Sequence, residues 1–277
     1  MIALLICIPV VKVLLMESTT KPVVKNKGNF VYVNGRPYRG EIKIIKKDGK
    51  WLCINILDVE DYLKGVVPSE MHTDKIEALK AQAIVARSYA LATKRSKYYD
   101  VRADQFDQVY KGASVENPLS TKAVEETRGK VLKIHGKILK AMYSACCGNC
   151  KFCRKTPYYR WEKKIKKEEL QKKLNLKGKI KKIIIKRDKN KRAKEIIILT
   201  NREKKKISGE KFRFILGLKS TLFRIKVRGK EIIVKGRGYG HGAGMCQWGA
   251  IKMAEMGYSY RKILKFYFPK AKIKKIY

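Results

Sequence analysis

Acidic side chains are scarce in this sequence. Against 66 Lys and Arg stand only 24 Asp and Glu, a formal net charge of +42 over 277 residues. No run of about 20 apolar residues occurs, so no segment is long enough to cross a bilayer comfortably as a helix; the most apolar stretch stops after residue 16. Histidine is limited to three positions. No internal repeat and no DNA- or RNA-binding motif is present, which takes specific nucleic-acid readout off the page. What remains is enough for a fold: 45% of the residues are apolar and 15 are tyrosine, so the high charge does not imply disorder. The charge itself has three readings: nucleic acid, anionic envelope polymers or lipid head groups, or lysine placed on every solvated surface. The lysines are spread along the whole chain, which favours the last.

Residues 1–16, apolar apart from Lys12, look like a signal-peptide apolar region without its basic leader, followed by Ser18-Thr19-Thr20. The alternative is a buried first strand. Export is the expectation: residues 1–27 form a signal or anchor segment and linker, through which the chain associates with a membrane, and residues 28–277 form one α+β domain in the extracytoplasmic envelope.

Within that domain the patterns alternate between periods. Phe30–Val33, Glu41–Ile45 and Trp51–Leu57 read as strands, with turns at Asn34-Gly35 and Asp48-Gly49. Residues 97–113 form an aromatic loop suited to sugar stacking or to plain packing. Ser120–Glu126 reads as a helix, and Val131–Tyr143 as a hairpin turning at His135-Gly136. The lysine-rich subregion, about 160–235, keeps apolar residues alternating with its charges, so it reads as strands with charged outer faces. Ser208 opens a helix running to Leu216. Leu222–Lys235 is a hairpin turning at Gly229, and helices follow at Gly249–Met256 and Tyr260–Tyr267.

The chain turns on Asp61–Met71 and the helical run from Asp74 to Lys94. Asp74 is placed as the helix N-cap, with Glu77 as its capping-box partner. Alanines recur at helical spacing, so this helix is expected to pack closely on several sides beside a cleft. Glu70 sits on the short approach after Pro68, where an acid catalyst can be presented. The plainer reading is a carboxylate that favours a helix N-terminus. His72 beside it is a candidate cleft-border residue.

Two further blocks carry chemistry. Cys146, Cys147, Cys150 and Cys153 fall within eight residues and can form a tetrahedral thiolate site, for which zinc is the matching metal. An extracytoplasmic disulfide pair is the rival. Gly236–Gly249 holds alternating glycines around His241, a spacing that matches neither a dinucleotide fingerprint nor a Walker loop. Its plainer reading is a tight loop leading into a helix.

Tyr62-Leu-Lys-Gly-Val-Val-Pro-Ser-Glu-Met71, the run Glu77–Ala90 and the block Gly236–Ala250 together resemble the sporulation stage II protein D and amidase-enhancer family of bacterial cell-wall proteins. The resemblance runs from about residue 28 to the C-terminus. It implies lytic cleavage of peptidoglycan glycan strands to 1,6-anhydro products with Glu70 as acid and then base, and no metal needed for that step. It also implies substrate contacts at Ser69, Lys80, Gln82, Arg87, Tyr89, His241, Gln247 and Trp248; Tyr110 is placed on the cleft wall by the aromatic loop that holds it, within Gln108–Tyr110. An N-acetylmuramoyl-L-alanine amidase is the protein partner implied, and a non-enzymatic glycan-binding activator is the alternative function. Family members with zinc carry a His shortly before the first Cys pair; Ser144 stands there in this sequence, and the two Cys pairs nearly abut.

Overall fold

The computed structural model describes residues 8–277, and they divide into two compact units. The first takes the chain up to Met142 and again Met253–Tyr277; the second is Tyr143–Lys252. Strands and helices are mixed in both, so the class is α+β.

In the first unit, β1 (Val10–Ser18) lies between two neighbours. It pairs antiparallel with β6 (Lys50–Asp58) and parallel with the short β7 (Val101–Arg102), and β5 (Glu41–Lys47) completes the sheet on the far side of β6. Val11, Val13 and Leu14 are buried while Val10 and Lys12 are exposed. This is the alternation of a strand with one face on a core. The expected leader and linker therefore overlap two strands, β1 and β2 (Val24–Lys27), and only residues 1–7 of it lie outside the described residues. No helix among the described residues is long and apolar enough to cross a membrane.

β2 joins β3 (Phe30–Val33) and β4 (Arg36–Tyr38) in a small meander. Its second turn, Asn34-Gly35, has positive φ at both residues, as does Asp48-Gly49 between β5 and β6. That is the pattern of the tight turn whose twist suits antiparallel strands.

The helical part of this unit centres on α2 (Ile76–Leu91), with α1 (Val59–Glu70), α3 (Pro118–Glu126) and α7 (Tyr260–Tyr267) packed against it. Twelve of its sixteen residues are buried, and five of those are alanine. Small side chains all round let neighbouring backbones approach closely, so α2 is enclosed rather than amphipathic. It starts two residues later than expected. Its N-cap position is Lys75, without a side-chain cap, and Glu77 closes no capping box; its Oε2 accepts a 2.6 Å hydrogen bond from the Tyr260 amide at the start of α7. A third sheet follows the order β18 (Lys272–Lys275), β8 (Lys130–Ile134), β9 (Lys137–Ile138).

The second unit holds three sheets. β10 (Tyr143–Ser144) pairs with β17 (Met245–Cys246). β11 (Arg160–Lys166), β16 (Glu231–Arg237) and β15 (Phe223–Arg228) form a second sheet; β12 (Ile180–Arg187), β13 (Ala193–Thr200) and β14 (Lys204–Ser208) form the third. α4 (Lys167–Leu174) and α5 (Gly209–Ile215) close the core, in which Ile165, Leu170, Ile196, Phe212, Phe223 and Val234 meet. Lysines occupy the alternate, outward positions of these strands, as the sequence pattern implies; α4, buried in the same lysine run, was not expected. α6 (Gln247–Glu255) carries the chain back toward Met253.

Candidate functional site

Glu70 is the last residue of α1, not a residue of a loop before a helix. Pro68 lies in the final turn, where its missing N–H removes one helical bond and hastens the end of the helix. The Ser69 hydroxyl donates to the Gly65 carbonyl at 2.7 Å, tightening that turn. Behind Glu70, Val66, Val67 and Pro68 are buried, and Met71 is 3% exposed. The half-buried carboxylate accepts a 2.5 Å hydrogen bond at Oε1 from the Val109 amide, so a segment 39 residues away positions it. Tyr62 is fully enclosed and its hydroxyl donates to Gln108 Oε1 at 3.3 Å; burial first, then the charge of Glu70, pushes its phenol well above the usual tyrosine range. A cavity of ≈350 Å³ lies between Pro68–Asp74 and the start of α3, lined by Met71, His72 and Leu79 among others; Glu70 is not part of its lining.

Three of the polar residues expected to contact a substrate, Arg87, Lys80 and Tyr89, are bonded to acids other than Glu70. Arg87 is 0% exposed. Its Nε and Nη2 donate to the two carboxylate oxygens of Glu60 at 2.9 and 2.7 Å, and its remaining donors reach the carbonyls of Lys130 and Val124. The Gly129 amide and the Tyr277 hydroxyl also donate to Glu60. Burial alone would raise the Glu60 carboxyl; the guanidinium of Arg87 overrides it and holds the group below the ordinary carboxylate range. Arg87 is thus a core ion pair and presents no donor to a saccharide.

Lys80 sits between Glu77 and Glu126 at 2.9 and 2.6 Å. The Tyr89 hydroxyl donates to Asp107 at 2.5 Å, and burial first, then that bond, raises its phenol. Asp107 is fully enclosed, held by Arg95 and by the Arg102 amide. Gln82 is buried in α2. Tyr110, expected on a cleft wall, is core: its ring packs on Tyr38 and Tyr62, and its hydroxyl donates to Asn55 at 3.1 Å.

The second unit assembles the other block. Four sulfurs, those of Cys147, Cys150, Cys153 and Cys246, lie within 4.8 Å of one another. Cys246 takes the place expected for Cys146, which stands beside the group, 3.8 Å from the Thr156 hydroxyl. None of the described cysteines forms a disulfide. Amide hydrogens converge on the sulfurs: Asn149 and Cys150 donate to Cys147 Sγ, and Cys147 and Gly249 donate to Cys246 Sγ. Such donors favour thiolates, the form that binds a metal. Without a metal the sulfurs divide the charge unequally. The Cys147 thiol is pulled down, chiefly by its bond to Cys150, while Cys246 is pushed up by its neighbours, Cys146 first.

Arg192 lies against this cluster. It is 7% exposed, and its Nη2 donates to the Cys147 carbonyl at 2.6 Å and its Nη1 to the Thr221 hydroxyl. Its guanidinium makes no ion pair among the described residues; the nearby Asp188 carboxylate accepts instead from its backbone amide at 2.9 Å. The glycine block explains its composition here. A Cβ on Gly242 would fall 1.7 Å from Arg192 Nη2, and one on Gly238, whose φ is +82°, would fall 2.6 Å from the Cys146 carbonyl. These glycines are a packing requirement between backbone, guanidinium and cysteine loop.

His241 Nδ1 accepts from the Ala243 amide at 3.0 Å, and burial lowers the imidazole from its usual range. Gln247 is 7% exposed at the start of α6. The Trp248 amide donates to Ala145, and its ring meets Tyr158 at 5.9 Å, which in turn meets Tyr239 at 5.4 Å. Tyr158 and Tyr239 were not anticipated as site residues. Tyr239 was hidden by the glycines on either side of it, although it is 45% exposed.

Comparison with known proteins separates the same two regions. Residues 47–133 match the family described as Stage II sporulation protein, and residues 129–244 match a domain of unknown function. The chain is 34% identical over 268 residues to an uncharacterized protein of Brachyspira hyodysenteriae, covering 85% of this chain and 72% of that one. It is 31% identical over 255 residues to the stage II sporulation protein D of Bacillus subtilis, covering 76% and 73%. With the amidase enhancer of Bacillus subtilis it shares 30% identity over 282 residues, 75% of this chain but 39% of that longer protein.

Proposed function

The chain belongs to the stage II sporulation protein D family, and from that premise we propose that it is a cell-wall lytic transglycosylase of the extracytoplasmic envelope. Its substrate is peptidoglycan glycan stripped of stem peptides. The observation that carries this reading is the placement of Glu70: it ends a helix in the family-matched segment, backed by buried Val66 and Val67, with one oxygen fixed by the Val109 amide.

Ordinary glycosidases need two carboxylates. The enclosed Asp107 is not available as a second one: its oxygens are already taken by Arg95, Tyr89 and the Arg102 amide. A mechanism with one working acid fits that arrangement. Glu70 gives its proton to the glycosidic oxygen as the C1–O bond breaks. It then takes the proton of the muramic acid C6 hydroxyl, whose oxygen closes on C1 to form the 1,6-anhydro ring and restores the acid. Of the donors expected around it, Arg87 is excluded by its burial against Glu60. In the second unit, Tyr158, Tyr239 and Trp248 offer rings on which a saccharide can stack beside His241.

The four sulfurs fit zinc: an all-thiolate donor set, amide donors toward the sulfurs, and in Arg192 a buried guanidinium bonded to the Cys147 carbonyl beside a centre that would be net-negative. Bound there, zinc would supply a crosslink between the 147–153 loop and Cys246, and no reaction step.

The test is a single-turnover assay on denuded glycan strands with mass detection of anhydro ends. Glu70→Gln should abolish the anhydro product and leave the thermal unfolding midpoint unchanged. Product formed at the wild-type rate would move the acid elsewhere.

A second reading has its own support. One relative is named an amidase enhancer, and Glu70 does not line the cavity next to it. On this reading the chain binds glycan and activates an N-acetylmuramoyl-L-alanine amidase. Stimulation of an added amidase by the wild type and by Glu70→Gln alike, without anhydro product from either, would decide for it.

A further inference from the structure

A cavity of ≈840 Å³ belongs to neither site above; it lies within Tyr143–Lys252. Six cations line it: Arg160, Arg187, Lys191, Arg224, Lys235 and Arg237. Glu162 is the one acid in the lining, and it is bound to Lys235 at 2.8 Å. None of the other five cations forms an ion pair among the described residues.

Three observations set this groove apart from a surface that is merely rich in lysine. First, arginine supplies only 16 of the chain's 66 basic residues but four of these six. Arginine's planar fork grips two oxygens of one anion, whereas lysine is a point charge. Second, the sheet register sets like charges opposite one another. Arg160 faces Arg237 across β11 and β16 with no acid in their row; Arg224 faces Lys235, which is balanced on its other side by Glu162. Directly opposed strand residues lie about 5 Å apart, and like charges at that spacing destabilise a sheet. A bound anion removes the repulsion. Third, the groove has a built apolar part. Trp161, Phe223 and Gly236 stand in line across the three strands. The indole lies so close over Gly236 that a Cβ there would come within 2.1 Å of it, and its Nε1 donates to the Gly238 carbonyl at 2.9 Å. Two of the arginines are anchored: Arg187 gives both Nη1 and Nη2 to the carbonyls of Lys191 and Phe223, whereas Arg237 reaches the Tyr159 hydroxyl through Nη1 alone.

We propose that this groove binds a linear phosphodiester polymer, gripped through its phosphates by the arginines of β11, β12, β15 and β16. The charge density selects the ligand. A glycan strand offers only its widely spaced lactyl carboxylates, too few for a lining of six cations and one acid. A single-stranded nucleic acid wants aromatic platforms for successive bases, and here one ring is enclosed while the other lies on Gly236. A membrane presents a plane, whereas this site is concave. The proposal stands apart from the reaction assigned to Glu70, because no residue of the groove is used there and either can fail alone.

Isothermal titration of the full-length protein with a synthetic glycerol phosphate oligomer tests it. Binding should weaken by about tenfold or more in Arg224→Gln/Arg237→Gln, as expected when two charge-assisted phosphate contacts are lost. It should change less than about twofold in Lys272→Gln/Lys274→Gln, an equal charge loss on exposed positions of β18. Should the first pair perturb folding by circular dichroism, Arg160→Gln/Lys191→Gln replaces it with the same expectation. Equal weakening in groove and control variants would show diffuse attraction and overturn the site, as would no binding at all. A length-matched DNA oligonucleotide or anionic vesicles binding more tightly than the oligomer, with the same loss in the groove variant, would overturn the choice of occupant.

Discussion

Each unit buries an arginine, and the two are treated differently. Arg87 in the first meets both oxygens of Glu60, with Gly129 and Tyr277 completing the acid's hydrogen bonds. Arg192 in the second meets only a carbonyl and a hydroxyl, beside a group of sulfurs. The composition follows the same division. Tyr143–Lys252 holds 34 basic and 8 acidic residues, the rest of the chain 32 and 16. The first unit pairs its buried arginine within the chain. The second leaves its buried guanidinium without an ion pair among the described residues, beside four sulfurs that could hold a metal ion. A side chain's role is thus read less from its type than from whether the fold supplies its counterpart.

Removing the counterpart in the second unit should have the largest effect. Cys246→Ser takes away one of the four sulfurs, and structural zinc contributes roughly 10–16 kcal/mol in small sites at neutral pH. Metal analysis should show about one zinc per wild-type chain and none in this variant, with loss of cooperative unfolding in the second unit; Cys146→Ser should keep its zinc. Zinc retained in the first and lost in the second would reverse the ligand assignment.

In the first unit, Arg87→Met should destabilise by about 3–5 kcal/mol, because it leaves the Glu60 carboxylate buried without its cation. Chemical denaturation measures this. The pH dependence has a definite sign. Since the folded-state value of Glu60 is depressed, its contribution is fully present above the ordinary carboxylate value of about 4.3. It is lost as pH falls through the depressed value. Glu60→Gln should therefore be less stable at neutral pH, with a shallower decline on acidification. A parallel acid limb would mean the pair is not what holds that charge. Smallest is Gly65→Ala: its Cβ would lie 2.6 Å from the Tyr110 ring and 2.8 Å from the Gly112 carbonyl, an overpacking expected to cost about 1–3 kcal/mol in the same measurement.

Local chemistry was legible in the sequence wherever it closed locally. Asn34-Gly35 and Asp48-Gly49 turn as their residues require, Ser208 caps α5 through the Lys211 amide, and α7 runs Tyr260–Tyr267 as its apolar spacing implies. What escaped depends on partners distant in the chain. No spacing rule connects Cys246 to Cys153, because strand pairing of β10 with β17 delivers it. Arg87 looks like a free donor in the motif, and only Glu60, 27 residues earlier, shows it to be core. Glu77 fits a capping box by spacing, yet the amide it accepts from lies 183 residues on. The apolar opening read as a leader, because a run with few charges hides the alternation that a neighbouring strand imposes.

The ionic centre of α1 is finished by a residue far along the chain. The Tyr277 hydroxyl reaches Glu60 from 217 positions away, and the Ile276 amide bonds the Gly129 carbonyl. Removing that one hydroxyl would thus loosen the opening turn of the helix that ends in Glu70.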